Sequence, residues 1–183
     1  MLDITAARAL IAAHTPFDAL EAASIERVLG WIDSSPTPPI TRKHFSPGHV
    51  TVAAWIVAQD TGRVLIVHHV KSGRWFQPGG HIEDTDMTLL DGALREVEEE
   101  CGFLPEFAEP PRLYDVDVHP IAAVKDEPDH LHCDVRFLFV IPREIEKLNG
   151  TSTAQWLELE VAKERMGLSV HNNRLFQKMA LAA

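Results

Sequence analysis

The residues best suited to chemistry lie in "LLDGALREVEEECGF", residues 89–103, where Glu96, Glu98, Glu99 and Glu100 crowd behind Arg95 with no lysine among them. On a helix at about 100° per residue, Glu100 falls about 40° to one side of Glu96 and Glu99 about 60° to the other. Three carboxylates then share one face, while Leu90, Leu94, Val97 and Cys101 form the expected core stripe and Glu98 and Asp91 point to solvent. Like charges at i, i+3 and i+4 repel and weaken a helix. A solvated face would intersperse lysines, whereas hard oxygen ligands gathered without counter-charge are what Mg²⁺ or Mn²⁺ requires. Gly92 lies on the carboxylate face one turn earlier and is expected to leave room for something bulky.

Just upstream, "QPGGHIEDTD" places Gly79 and Gly80 at a strand end, where backbone groups can approach a ligand closely. A metal held there can act as a Lewis acid on a diphosphate and orient a water. A glutamate or a loop carboxylate would serve as general base.

Gly80 through Phe103 resembles the signature of the Nudix hydrolases, G-x5-E-x7-R-E-U-x-E-E-x-G-U, with U a bulky aliphatic or aromatic residue. Arg95-Glu96-Val97, Glu99-Glu100 and Gly102-Phe103 match its second half position for position. The first half departs: the glutamate position counted from Gly80 holds Asp86, and eight residues rather than seven separate it from Arg95. A one-residue insertion accounts for this, with Asp86 or Glu83 standing in. The resemblance implies an α/β/α sandwich with a mixed β-sheet and Mg²⁺-dependent (or Mn²⁺-dependent) hydrolysis of a nucleoside diphosphate linked to another moiety X. It also implies that Glu96, Glu99 and Glu100, with the carbonyl of Gly80, are metal ligands, and that Glu99 or Glu100 positions the water. Arg95 would hold a carboxylate of the site by a bidentate pair.

The elements that must position these groups are legible from pattern. "DITAARALIAAH" and "PFDALEAASIERVLGWID" read as two helices, the second with Pro16 suited to its start, followed by a proline-rich connector. Residues 1–40 are thus read as a helical N-terminal extension and linker, and 41–183 as the hydrolase domain. A lid or homodimer contact is the functional alternative for the extension. "HVTVAAWIVA" and "RVLIVHHV" flank the turn "QDTG" as a hairpin, followed by a short strand at "RWFQ". Thr88 caps a helix over 89–101 that Gly102 ends in the left-handed conformation. "RLYDVDVHPI" and "HLHCDVRFLFVI" alternate as half-buried strands, "AQWLELE" is a short strand running into helix, and "VHNNRLFQKMALA" is a terminal helix. Interspersed hairpins and helices point to a mixed sheet rather than a doubly wound one.

If the strands at 112–121 and 130–141 pair, His119, His132 and Asp134 make a polar patch, and the loop between them brings Glu127 or Asp126 towards the site. This patch is read as substrate contact, an extra metal ligand or the general base, against the plain reading of a wet sheet face. Spacing across two strands says nothing about convergence. Phe76 and Trp75 are candidates to stack on a base, and Arg42, Lys43 and His44 candidates to meet phosphates. Trp55 is expected in the core, and His68 and His69 on opposite faces.

The formal charge of −10 over 183 residues argues against a binder of nucleic-acid polymers. Cys101 and Cys133 carry no zinc or disulfide spacing and are expected reduced and buried, as in a cytoplasmic protein. No signal peptide and no membrane span are expected. Two other classes compete with the hydrolase. One is a non-catalytic sensor of a nucleotide or sugar phosphate, which has no need of three unneutralised carboxylates. The other is an isomerase on the same scaffold, which needs a cysteine in the cleft, where neither Cys101 nor Cys133 is expected.

Overall fold

The computed structural model describes residues 1–183 except 36, 71, 125, 126, 168 and 183. The expectation for Asp126 lies outside the described residues. In chain order the elements are α1 (Ile4–Ala12), α2 (Ala19–Ser34), β1 (Gly48–Ala58), β2 (Val64–His69), β3 (Arg74–Phe76), β4 (Gly79–His81), α3 (Leu89–Cys101), β5 (Arg112–Ile121), β6 (His130–Ile141), β7 (Thr153–Leu157), α4 (Leu159–Met166) and α5 (Val170–Ala182). The described strands hydrogen-bond in the order β3-β2-β1-β6-β5, with β4 paired to β1 and β7 to β2. The fold class is the expected one: α/β, a mixed sheet with helices and an N-terminal helical extension.

The chain divides into two compact units: residues 1–52, 80–92 and 113–136, and residues 53–79, 93–112 and 137–183. In the first, Asp3 caps α1 by accepting from the Thr5 and Ala6 amides. α2 begins at Ala19 with Asp18 accepting from Glu21 N, so Pro16 lies outside the helix it was expected to open. A short side-chain acceptor satisfies an otherwise orphan amide, which proline cannot do. α2 is bonded directly to β5. The fully buried Glu21 accepts from Val116 N at 3.1 Å, from Phe17 N at 2.7 Å and contacts His14 Nε2 at 2.9 Å, while Ser24 Oγ accepts from Val118 N at 3.1 Å.

In the second unit, β1 and β2 form the expected antiparallel hairpin, with Ile56 opposite Leu65. β2 also pairs antiparallel with β3 and β7. Its first four residues are buried, as is all of β1, so this is a two-sided core rather than a half-wet sheet. Trp55 is fully buried and meets Phe176 of α5 edge-on with ring centroids 5.2 Å apart.

The helix α3 runs over the residues its pattern predicts, with a reciprocal cap in which Asp91 N donates to Thr88 Oγ1 and Thr88 N to Asp91 Oδ2. Its buried row is Leu89, Ala93, Val97 and Cys101; Leu90 and Leu94 are only half-buried. The core face is therefore rotated towards the glutamates relative to the stripe expected from the leucines. Small residues set this. A Cβ on Gly92 would meet Asp86 Oδ2 at 3.0 Å and Val52 Cγ2 at 3.1 Å, so the space beside it is filled by the protein itself and not kept for a ligand.

Gly102 ends α3 at φ +83°, the left-handed region expected of it, and an added Cβ would run into Asn149 and Gly150. Gly102→Ala should destabilise the fold by about 1–2 kcal/mol from conformation alone, with more from the clash, read in urea unfolding. Glu21→Ala, which deprives the buried Val116 N–H of this acceptor, should cost about 2–3 kcal/mol. Unchanged midpoints would remove each residue from the account given for it.

Candidate functional site

In the second unit, the end of α3 is fastened by two other segments. Glu100 Oε2 accepts from Gly79 N at 3.0 Å, and Glu100 Oε1 accepts from Ser152 Oγ at 2.9 Å. The helix backbone is held in the same way, with Thr151 N donating to Glu99 O at 2.7 Å and Ser152 N to Glu100 O at 3.1 Å. Gly150 lies so close to the Glu100 backbone that a Cβ would overlap it. The segment "NGTS", residues 149–152, had no place among the residues expected to serve the site. Its clue was an Asn-Gly pair between a strand and a short strand, which reads only as a turn.

Glu96, Glu99 and Glu100 share a helix face as expected, but their surroundings differ. The Glu99 side chain is 51 % exposed and that of Glu96 only 12 %. Arg95 Nη1 donates to Glu96 Oε1 at 3.0 Å and to Glu99 Oε1 at 3.3 Å. Arg95 thus bridges Glu96 and Glu99. Burial pushes the Glu96 carboxyl up to about 7 despite Arg95, and Glu100 is raised by burial against the bonds from Gly79 and Ser152. One guanidinium among three carboxylates leaves anionic charge that a hard dication would neutralise, so in donor type the set suits Mg²⁺ or Mn²⁺, while the three carboxylates are not gathered within 4.8 Å of one another. Gly80 sits in the middle of β4, half-buried. Asp86 is buried and accepts from Glu83 N at 2.8 Å, closing the inserted turn, while Glu83 is exposed.

Phe76 is half-buried, with the Arg74 guanidinium 5.4 Å from its centroid. Trp75 carries Arg165 at 5.2 Å and His68 at 5.1 Å. These rings already have protein partners.

In the first unit, the polar faces of β5 and β6 do come together, with Asp115, Asp117 and Arg136 buried and His119, His132 and Asp134 half-buried. Arg136 is 2 % exposed and bonds Asp115 at 2.9 Å and Asp134 at 2.8 Å, with Asp117 at 3.6 Å. Thr51 Oγ1 donates to Asp134 Oδ1 at 2.5 Å, and His119 Nδ1 lies 3.0 Å from Asp117. Although burial works against its charge, His119 is raised by Asp134 and Asp117. Asp134 is held below the ordinary carboxylate range by His119 and Arg136 against its burial. The plain reading of a solvated face does not hold for Asp115, Asp117 and Arg136, which are buried as an ion cluster; alternation alone does not distinguish the two. Glu127 is taken by Arg42, whose Nη2 lies 2.6 Å from Oε1. His44 Nδ1 donates to Gly48 O at 2.7 Å.

His132 is joined by imidazoles that the sequence did not assign to this patch. His49, on β1, has its ring 4.7 Å from His132, 5.0 Å from His81 and 5.0 Å from His130. Burial lowers His81 to about 4 and lowers His49 and His132 too. Burial thus favours the neutral form of His49, His81 and His132.

Cys101 and Cys133 are both free and fully buried, and burial pushes the Cys101 thiol up to about 12. Neither suits cleft chemistry, in keeping with the rejection of the isomerase.

A NUDIX domain model matches residues 47–178. The chain is similar to the phosphatase NudJ of Escherichia coli K12, 37% identical over 109 residues that make up 58% of this chain and 61% of that protein, so the match spans less than two thirds of the relative. Among solved structures it resembles the E. coli dihydroneopterin triphosphate pyrophosphohydrolase (TM-score 0.55, 19% identity, 73% of this chain and 96% of that one). It also resembles the NUDIX domain of Shewanella oneidensis NrtR complexed with ADP ribose (TM-score 0.54, 18% identity, 73% and 86%). At these identities the structures speak for the fold, while the domain match covers well over half of the sequence: the chain belongs to the NUDIX family.

Proposed function

We propose that this protein is a Nudix hydrolase that cleaves the diphosphate linkage of a nucleoside diphosphate joined to a second moiety. The observation that carries the reading is the end of α3, where three glutamates lie on one face, Arg95 bridges Glu96 and Glu99, and Gly79 and Ser152 hold Glu100 in place. Glu96, Glu99 and Glu100 are the residues that would hold Mg²⁺ or Mn²⁺, and the bound ion would supply Lewis acidity towards a phosphoryl oxygen. Arg95 keeps Glu96 and Glu99 together and limits their repulsion in the free protein. Glu99, the most exposed of the three, is the one that reaches solvent and can accept a proton from an attacking water. Glu100, bonded at both oxygens, is fixed as an orienting group.

Membership of the NUDIX family and the similarity to a phosphatase support this reaction class. We place the catalytic domain at residues 41–183, with 1–40 as its helical extension. The two free, buried thiols favour a cytoplasmic setting. No described helix is long and apolar enough to cross a membrane.

The test is release of phosphate or nucleoside monophosphate from a panel of nucleoside diphosphate derivatives with Mg²⁺, with Mn²⁺ and with chelator. Turnover is expected with either metal and none with chelator. Glu99→Gln and Glu100→Gln should each lower kcat by about 100-fold or more while the far-ultraviolet spectrum stays unchanged. Full turnover by either variant would sink the assignment of these glutamates. Ligand binding without cleavage across the panel would mark a sensing module instead.

A further inference from the structure

Five histidines, His49, His81, His119, His130 and His132, lie within one compact unit, each with its ring centroid within 6.0 Å of another's. Charged imidazoles at such distances would repel, and burial favours the neutral form of His49, His81 and His132. One ligand atom from each of His49, His81 and His132 lies within 4.8 Å of the others, whereas zinc–nitrogen bonds of about 2.0–2.1 Å put tetrahedral ligand nitrogens roughly 3.4 Å apart. Small side-chain rotations would draw the three nitrogens from that spacing onto an ion.

The buried member of the three is already in the state a metal needs. His49 is fully buried, and its Nδ1 lies 3.1 Å from the carbonyl oxygen of His44. A carbonyl only accepts, so Nδ1 carries the proton and Nε2 bears the lone pair. Nε2 is buried and has no hydrogen-bond partner among the described residues. A backbone carbonyl fixing one ring nitrogen while the other faces an ion is the usual outer shell of a metal-bound histidine. A buried polar atom left bare with no such purpose would cost free energy.

A second triad, His119, His132 and Asp134, meets the same distance limit and shares His132. Its donors are committed elsewhere: Asp134 accepts from Thr51 through Oδ1 and from Arg136 through Oδ2, and His119 Nδ1 is taken up with Asp117. Asp134 acts instead from the side, as a negative charge close to His132. It belongs to a cluster in which Asp115, Asp117 and Asp134 surround Arg136, with His119 beside Asp117.

We infer that His49, His81 and His132, drawn from β1, β4 and β6, form a binding site for one borderline first-row dication such as Zn²⁺, chemically separate from the all-oxygen set proposed on α3. Three imidazoles select Zn²⁺, Ni²⁺ or Co²⁺ over Mg²⁺, which takes hard oxygen. The ion would hold three strands together at one point, and its remaining coordination position would accept water or an anionic oxygen.

The test is calorimetric titration of the tag-free chain with Zn²⁺ in the presence of excess Mg²⁺. One equivalent of Zn²⁺ is expected, weakened tenfold or more in His81→Ala and in His132→Ala and unchanged in His68→Ala. Co²⁺ added to the wild-type chain gives a readout that needs no variant: nitrogen-rich tetrahedral coordination produces strong visible absorption, and six-coordinate carboxylate binding only a faint one. Absence of Zn²⁺ uptake under Mg²⁺, wild-type affinity in both histidine variants, or a faint Co²⁺ spectrum would each overturn the site. Mg²⁺-dependent turnover on the same preparation reports separately on the proposed hydrolase.

Discussion

The Glu100 carboxylate, bonded through one oxygen to the Gly79 amide and through the other to the Ser152 hydroxyl, is the point on which the candidate catalytic helix depends. A carboxylate pressed towards a core loses hydration, and only donors aimed at it offset the loss. Here a strand-end amide and a loop hydroxyl do so, and they also fix the end of α3 relative to both segments. Glu96 and Glu99 follow because they lie on the preceding turn of the same helix. Functional groups on a helix whose end is fastened by several backbone and side-chain bonds wander less than groups on a free end.

The first unit meets a similar problem with a different device. Arg136 gathers Asp115, Asp117 and Asp134 in an interior where no single ion pair repays its own desolvation. What such a cluster gives is position: with all three partners attached to one fork, β5 and β6 have one register that satisfies it.

Local pattern made much of the fold legible. The hairpin, the limits of α3, the spans of β5 and β6 and the last helix follow from periodicity, capping chemistry and a terminating glycine, all of which act over a few residues. The acidic face of α3 was legible for the same reason, since 3.6 residues per turn places Glu96, Glu99 and Glu100 together wherever the helix lies. Long-range events were not legible. Nothing local shows that "NGTS" would close on the helix end, that Glu21 of α2 would cap a strand amide ninety-five residues on, or that His49 and His81 would converge with His132. The leucine-weighted stripe misjudged the buried face because Ala93 and Gly92 let the helix approach on their side, and size, rather than hydrophobicity, decided the contact. Alternation in β5 and β6 predicted which residues share a face but not whether water reaches it.

Both cysteines are sealed, and they fall in different compact units, Cys133 in the first and Cys101 in the second. Since only a solvent-reached thiolate attacks an alkylating reagent, the folded chain is silent towards one. Any label that accumulates counts excursions in which a unit comes open. Peptide-resolved labelling of the unaltered chain would therefore clock the two units independently, and would show whether they breathe together or apart.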